Sequence, residues 1–276
     1  MRKIYLLLLL ALATTSIYAQ KKEKIKGSKI VTVTQKEVEP FENLEILDNL
    51  EIFIVKGDKQ GLEIEADDNL HDALTASISG NTLTLSALKE VSGAKKFSIR
   101  LTYTSDLKLI TVKNDAQLNA LMTLTADNVT VKNFDNSRSY LNVDAPVFTL
   151  IMTDKSKGEL NVKSKSTTLN LSKSVSLKAL VQAEDLKVDL YQKATTTLEG
   201  DTQQARYRLD NNSSLTAKKM TTIQAEIATE GYASASVQAT ESLKISASGK
   251  SEIQIYGTPK MELTEFRDTA TLYKKQ

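Results

Sequence analysis

The sequence predicts an all-β solenoid, and three observations lead there. First, from Leu107 to Gln276 one short unit recurs about nine times, at intervals of about 19 residues. A fixed period near 20 marks a stack of units, each too small to bury its own apolar face, so that neighbours must cover it. Second, Thr, Val, Ile, Leu, Ser and Asn dominate, which suits pleated, half-buried surfaces, and helical periodicity is nearly absent. Third, the chain has 3 Pro and 0 Cys. Without a disulfide framework, core burial and backbone pairing must hold it together.

Taken in order, residues 1–19 read as a cleaved signal peptide. Arg2 and Lys3 give a basic start, residues 6–12 an apolar run too short to span a bilayer, and Ile17-Tyr18-Ala19 a cleavage site before Gln20. No transmembrane segment is then expected, and the lack of a following Cys leaves no lipoprotein anchor there. Residues 20–39 read as a charged, flexible leader to Lys29, then a possible first strand at Ile30-Val31-Thr32-Val33.

Residues 40–106 read as longer paired strands that start and cap the solenoid. Runs at 44–47 and 50–55 flank the turn pair Asp48-Asn49. The loop 56–61 leads into Leu62-Glu63-Ile64-Glu65-Ala66, and Asp67 or Asp68 suits an N-cap for one short helix, 69–74. Ser79-Gly80-Asn81 turns the chain into Thr82-Leu83-Thr84-Leu85. A polar loop at 91–96 precedes a last alternating run, 97–103.

Residues 107–276 carry the repeats. Inward positions are expected at Ile110, Val112, Val129, Val131, Phe148, Leu150, Leu169, Leu171, Val188, Leu190, Leu209, Ile227, Ile245 and Leu263. Residues between them, among them Thr111, Thr130, Thr149, Asn170, Asp189, Arg208, Glu226, Ser246 and Thr264, are expected to face water. Stacked at about 4.8 Å per coil, nine coils form a parallel β-helix roughly 40–45 Å long. The corners, such as Asn114-Asp115, Asp135-Asn136-Ser137, Ser172-Lys173-Ser174 and Ser248-Gly249-Lys250, suit tight left-handed bends, and stacked Asn or Ser there would form ladders. The end, Tyr273-Lys274-Lys275-Gln276, puts charge on an exposed edge, which discourages end-to-end growth.

The order of the early motifs carries a resemblance. Phe41-x-x-Leu44-x-Ile46 is followed by 50–58 (LEIFIVKGD), 62–70 (LEIEADDNL) and 80–85 (GNTLTL), all ahead of short repeats. From Phe41 to Tyr256 the chain resembles the putative auto-transporter adhesin family with a head GIN domain, a domain of unknown function of Bacteroidetes envelopes. The resemblance implies a right-handed β-helix exported to the periplasm, outer membrane or surface of a Gram-negative bacterium. It brings no catalytic, cofactor or metal residues with it. The chain departs from the family in corners poor in Gly, and no membrane barrel follows the repeats.

The residues themselves offer little chemistry. Loss of Arg2 and Lys3 takes the formal charge from +2 to 0, which speaks against nucleic acid as partner. His71 is the single histidine, beside Asp67, Asp68 and Asp72, and reads as a solvent-facing helix residue. Asp189, Glu226 and Glu262, with Arg206 and Arg208 nearby, are the outward carboxylates a sugar-cleaving groove could draw on, but with no Trp and only scattered Tyr they read as solvated sheet charge. Tyr191, Tyr207 and Tyr232 near successive corners form either an aromatic stripe or packing.

The sequence therefore predicts an exported, non-catalytic adhesin-like protein binding glycans, proteins or a copy of itself, with no cofactor and no assigned site residue. A carbohydrate-active β-helix lyase or hydrolase and a periplasmic structural protein are the alternatives.

Overall fold

A computed structural model describes residues 22–120 and 122–275. The expected signal segment 1–19 lies outside them. Among the described residues every regular element is a strand except one 3-10 helix, Asp68–Ala73. Parallel coils of about 19 residues stack into a β-solenoid of about nine turns.

The repeat works because each coil reuses one turn. Asp48, Asn114, Asp135, Asp154, Lys173, Gln192, Asn211, Gly231, Gly249 and Asp268 all sit at the same place in successive coils, and all have φ between 57° and 71°. Left-handed backbone suits Gly, Asn and Asp, which is why the corners are rich in Asn and Asp even where Gly is scarce. Each turn is held to its neighbour by the amide of the following residue, as in Asn136 N–H to Asn114 O (2.9 Å) and Lys155 N–H to Asp135 O (2.8 Å). Side chains add a second rung. The N–H groups of Asp48, Asn114 and Gly249 donate to Asn114 Oδ1 (3.1 Å), Asp135 Oδ2 (2.9 Å) and Asp268 Oδ2 (2.9 Å) of the adjacent coil. A corner ladder forms, but its rungs at these turns are backbone N–H groups bonded to Asn114, Asp135 and Asp268, where stacked Asn or Ser was expected.

After the turn each coil contributes to one ladder, bends, and contributes to a second. In the first ladder Gln117–Ala120, Arg138–Asp144 and the leading halves of Lys157–Leu171, Ser176–Leu190, Thr195–Leu209, Ser214–Thr229 and Ser234–Ala247 run in parallel register. The second takes Leu109–Val112, Asn128–Asn133, Val147–Met152 and the trailing halves of the same long strands. The expected inward residues line the core as buried columns, with Leu263 the exception at 56 % exposed. Its register partner Ile245 is fully buried. The difference arises because Leu263 lies on the outermost coil of the described residues, none of which stacks over it.

The first coils are stacked out of chain order. Asn43–Ile46 pairs with Thr82–Ala87 on one side and Leu109–Val112 on the other. Glu51–Lys56 likewise lies between Phe97–Tyr103 and Gln117–Ala120. The coil made first is thus the second in the stack. Antiparallel strands close this end: Leu74–Ser79 on Thr82–Ala87, Gly61–Asp67 on Phe97–Tyr103, and Val31–Glu37 on Gly61–Asp67.

Two local expectations change here. The described part of the leader is not loose, because Lys24–Lys26 pairs in parallel with Glu90–Ser92, at the edge of the expected polar loop. Asp67 stands at the N-cap position of the helix but makes no capping bond. Its wholly buried carboxylate instead accepts the backbone N–H groups of Lys29 (2.9 Å), Lys95 (3.1 Å) and Lys96 (3.0 Å). Burial pushes its pKa up, and the amides of Lys95, Lys29 and Lys96 with the Lys29 charge more than offset that, holding it below the ordinary Asp value.

Candidate functional site

A groove of about 610 Å³ lies on the outer side of the first ladder. Register makes its walls. One outward row runs Tyr140, Glu159, Lys178, Thr197, and the next runs Asn142, Asn161, Leu180, Glu199. Both rows keep uniform spacing to Thr197 and Glu199, and the register shifts only against the next coil, where Thr197 pairs with Thr216 and Glu199 with Lys219. Beside Glu199, Gly200 has φ 117°, and a Cβ there would stand 2.0 Å from Val181 O, so glycine is required for the coils to approach.

The strand carrying Tyr140 is fixed from beneath. Asn133 is fully buried, and its amide donates to Ser137 Oγ (3.1 Å) and Ser139 Oγ (2.8 Å), while Ser139 Oγ donates back to Asn133 Oδ1 (3.0 Å). A satisfied polar cluster of this kind orders the turn into Arg138–Asp144. Tyr140 and Leu180 then project outward, 39 % and 50 % exposed. Large apolar side chains at water-facing positions are informative where they line a concavity with polar groups.

Most of the polar lining is free of internal partners. Elsewhere outward charges pair with each other: Lys108 with Glu42 (2.7 Å), Lys113 with Glu45 (2.7 Å), Arg206 with Glu226 (3.5 Å). Glu199 at the groove end meets Lys219 at 3.0 Å. Among the described residues Tyr140, Asn142, Glu159, Asn161 and Lys178 enter no such pair or side-chain hydrogen bond.

The residues considered from sequence lie apart from this groove. Glu226 and Glu262 do share one row of the second ladder, but Lys244 stands between them and Arg206 and Lys187 continue it. Asp189 is not water-facing as expected. It is 8 % exposed, bonded to Lys187 at 3.1 Å and set between Asn170 and Arg208 in register. From Arg206 to Glu262 the signs alternate, with Lys187 a second positive charge beyond Arg206, and the concavity that Asp189 and Glu226 both line also holds Lys187, Arg206 and Arg208.

The tyrosines do not form a stripe. Tyr207 is core, its hydroxyl 3.4 Å from Thr222 Oγ1 and its pKa pushed up to about 12 by burial. Tyr191 carries the Arg208 guanidinium 5.8 Å from its ring centre, and Tyr232 is 61 % exposed with Lys250 at 5.6 Å. His71 is half-buried rather than solvent-facing, with Nε2 2.7 Å from Thr32 Oγ1, and it ties the helix to strand Val31–Glu37. Among the described residues no group of three or more His, Cys, Asp and Glu stands in metal-binding geometry, and no helix is long and apolar enough to cross a membrane.

The groove residues were missed at the level of sequence. The signal for them was Leu180, an apolar side chain in a strand position whose alternation assigns it to water.

Comparison with known proteins agrees on the fold. The family described as "Putative auto-transporter adhesin, head GIN domain" matches residues 40–259. A solved structure of a putative adhesin from Parabacteroides distasonis aligns at TM-score 0.62 and 20 % identity, covering 92 % of this chain and 100 % of its own. A putative adhesin from Parabacteroides merdae aligns at 0.59 and 19 %, with the same 92 % and 100 % coverage. A putative lipid binding protein from P. distasonis aligns at 0.59 and 14 %, covering 91 % and 97 %. At such identities the likeness concerns the fold. No curated protein matches the chain.

Proposed function

Because the chain belongs to the family of putative auto-transporter adhesins with a head GIN domain, we propose that it is an exported, non-catalytic recognition protein acting at the cell envelope or surface. The observation that carries this reading is the groove, where Tyr140 and Leu180 stand exposed beside Asn142, Glu159, Asn161 and Lys178, polar side chains with no partners of their own among the described residues. A rigid stack holds those side chains at fixed spacing before any ligand arrives, which lowers the ordering cost of binding. Catalysis would need a poised nucleophile or an acid–base pair of carboxylates. The groove's Glu199 is already engaged by Lys219 at 3.0 Å, which favours binding over turnover.

Two measurements test the reading. Protease treatment of intact cells, with fractionation alongside, should digest the protein without opening the outer membrane. Protection until that membrane is opened would end the adhesive reading and leave a periplasmic structural role. Purified protein should also retain immobilised envelope or host-surface material without altering it. Release of new reducing ends from bound polysaccharide would replace recognition by a carbohydrate-active enzyme.

A further inference from the structure

We propose that the groove between the Tyr140 and Asn142 rows takes a neutral, hydroxyl-rich glycan chain laid along the solenoid axis. The proposal rests on the recognition reading above and names its ligand. The groove crosses four coils, from Tyr140 to Thr197 in one row and from Asn142 to Glu199 in the other. At about 4.8 Å per coil this is an axial run of roughly 14 Å, a span suited to a few linked pyranose rings.

The backbone offers little for recognition. Strands 157–163 and 176–182 are hydrogen-bonded on both sides within the ladder, and strand 138–144 is paired along one side and at 138–140 and 143–144 on the other. An added peptide strand finds no continuous main-chain edge here, so a ligand in this groove is read mainly by side chains. Asn142 and Asn161 stand one above the other, and each offers a donor and an acceptor. Paired hydroxyls on neighbouring sugar carbons present that same combination. The Glu159 carboxylate accepts from hydroxyls, and the Lys178 ammonium donates to hydroxyl or ring oxygen. Tyr140 and Leu180, 39 % and 50 % exposed, give apolar surface for the C–H faces of the rings.

Charge chooses among glycans. With Glu199 neutralised by Lys219 at 3.0 Å, Glu159 and Lys178 remain, one of each sign and on adjacent coils. A polyanion would meet Glu159 and a polycation Lys178, so an uncharged chain fits best.

The test is calorimetric titration of the full mature chain with neutral oligosaccharides of two to six rings. Affinity should climb with length to about three or four rings, the run of the groove, and then level off. Asn161→Ala and Tyr140→Ala should each weaken binding about tenfold, roughly 1.4 kcal/mol. Arg206→Ala, on the other ladder, should leave it unchanged. All three positions are exposed on the outer surface, and an unaltered thermal midpoint confirms folding.

The proposal falls if no neutral oligosaccharide binds, or if binding ignores Asn161 and Tyr140. Should the groove variants abolish surface adhesion while periodate-treated surfaces still bind, the partner is protein, and recognition by the groove stands without the glycan. Should the groove variants change no adhesion of any kind, the recognition reading fails with it.

Discussion

The two ends of the stack use the same strand chemistry and finish differently. At the N-terminal end the outermost coil, 82–103, is covered by antiparallel strands and by the 3-10 helix, whose Leu70 is fully buried. Two segments, at Lys29 and at Lys95-Lys96, meet there on the Asp67 carboxylate. At the C-terminal end Met261, Leu263, Phe266 and Tyr273 stand 48, 56, 44 and 45 % exposed. Leu263 occupies the column that buries Ile245 completely one coil earlier. Burial in this fold is conferred by the neighbouring coil, and a residue's own place in the alternation only makes it eligible.

The largest effect that sharpens the comparison comes from truncating one column at two heights. Ile245→Ala should cost about 2–5 kcal/mol in denaturant unfolding, and Leu70→Ala in the N-terminal cap a comparable amount. Leu263→Ala should stay within about 0.5 kcal/mol, as for a surface site. A loss at Leu263 equal to that at Ile245 would mean that the last coil is covered in solution.

Next comes acid sensitivity confined to the capped end. The folded pKa of Asp67 lies below its unfolded value, so its contribution is present above about pH 3.9 and lost as pH falls through the folded pKa. Asp67→Asn should therefore destabilise at neutral pH and flatten the acid limb of the stability profile. Hydrogen exchange should show the loss first at Lys29, Lys95 and Lys96, whose amides the carboxylate accepts. An unchanged acid limb would remove Asp67 as the clamp.

A smaller effect separates the middle of the stack from both ends. Tyr207→Phe removes only a 3.4 Å contact to Thr222 and should cost no more than about 1 kcal/mol in the same unfolding assay. The smallest is Gln192→Gly at the repeated turn, where φ is 62°. Relief of left-handed strain, about 1–2 kcal/mol, is largely cancelled by the added freedom of glycine when unfolded. A net gain of up to about 1 kcal/mol is expected in the thermal midpoint.

The solenoid was legible because each coil restates the same facts: an apolar column, a polar corner and a fixed interval. Ile110, Val131, Leu150, Leu169 and Val188 could be read as one column without knowing their neighbours. The stacking order of the first coils was not legible, since parallel partners carry no turn between them to give the pairing away. The same is true of Lys24–Lys26, whose alternation is one Ile between lysines and whose partner sits in a polar stretch. Leu263 misled because periodicity marks a position as apolar without showing whether another coil covers it. The groove stayed hidden because its rows join residues 19 apart, so Tyr140 and Lys178 meet only once coils are in register.

The out-of-order start has a consequence for how the molecule comes into being. Residues 43–56 emerge early, yet one of their neighbours is supplied by 82–103 and the other by 107–120. Until that much chain is available, the first coil has no sheet to join on either side. Beyond it each coil needs only the one just completed, so winding can follow synthesis step by step. The molecule thus has a fixed starter and a processive remainder. Its slow event should be assembly of three coils at once, with the loop-closure entropy that distant pairings demand.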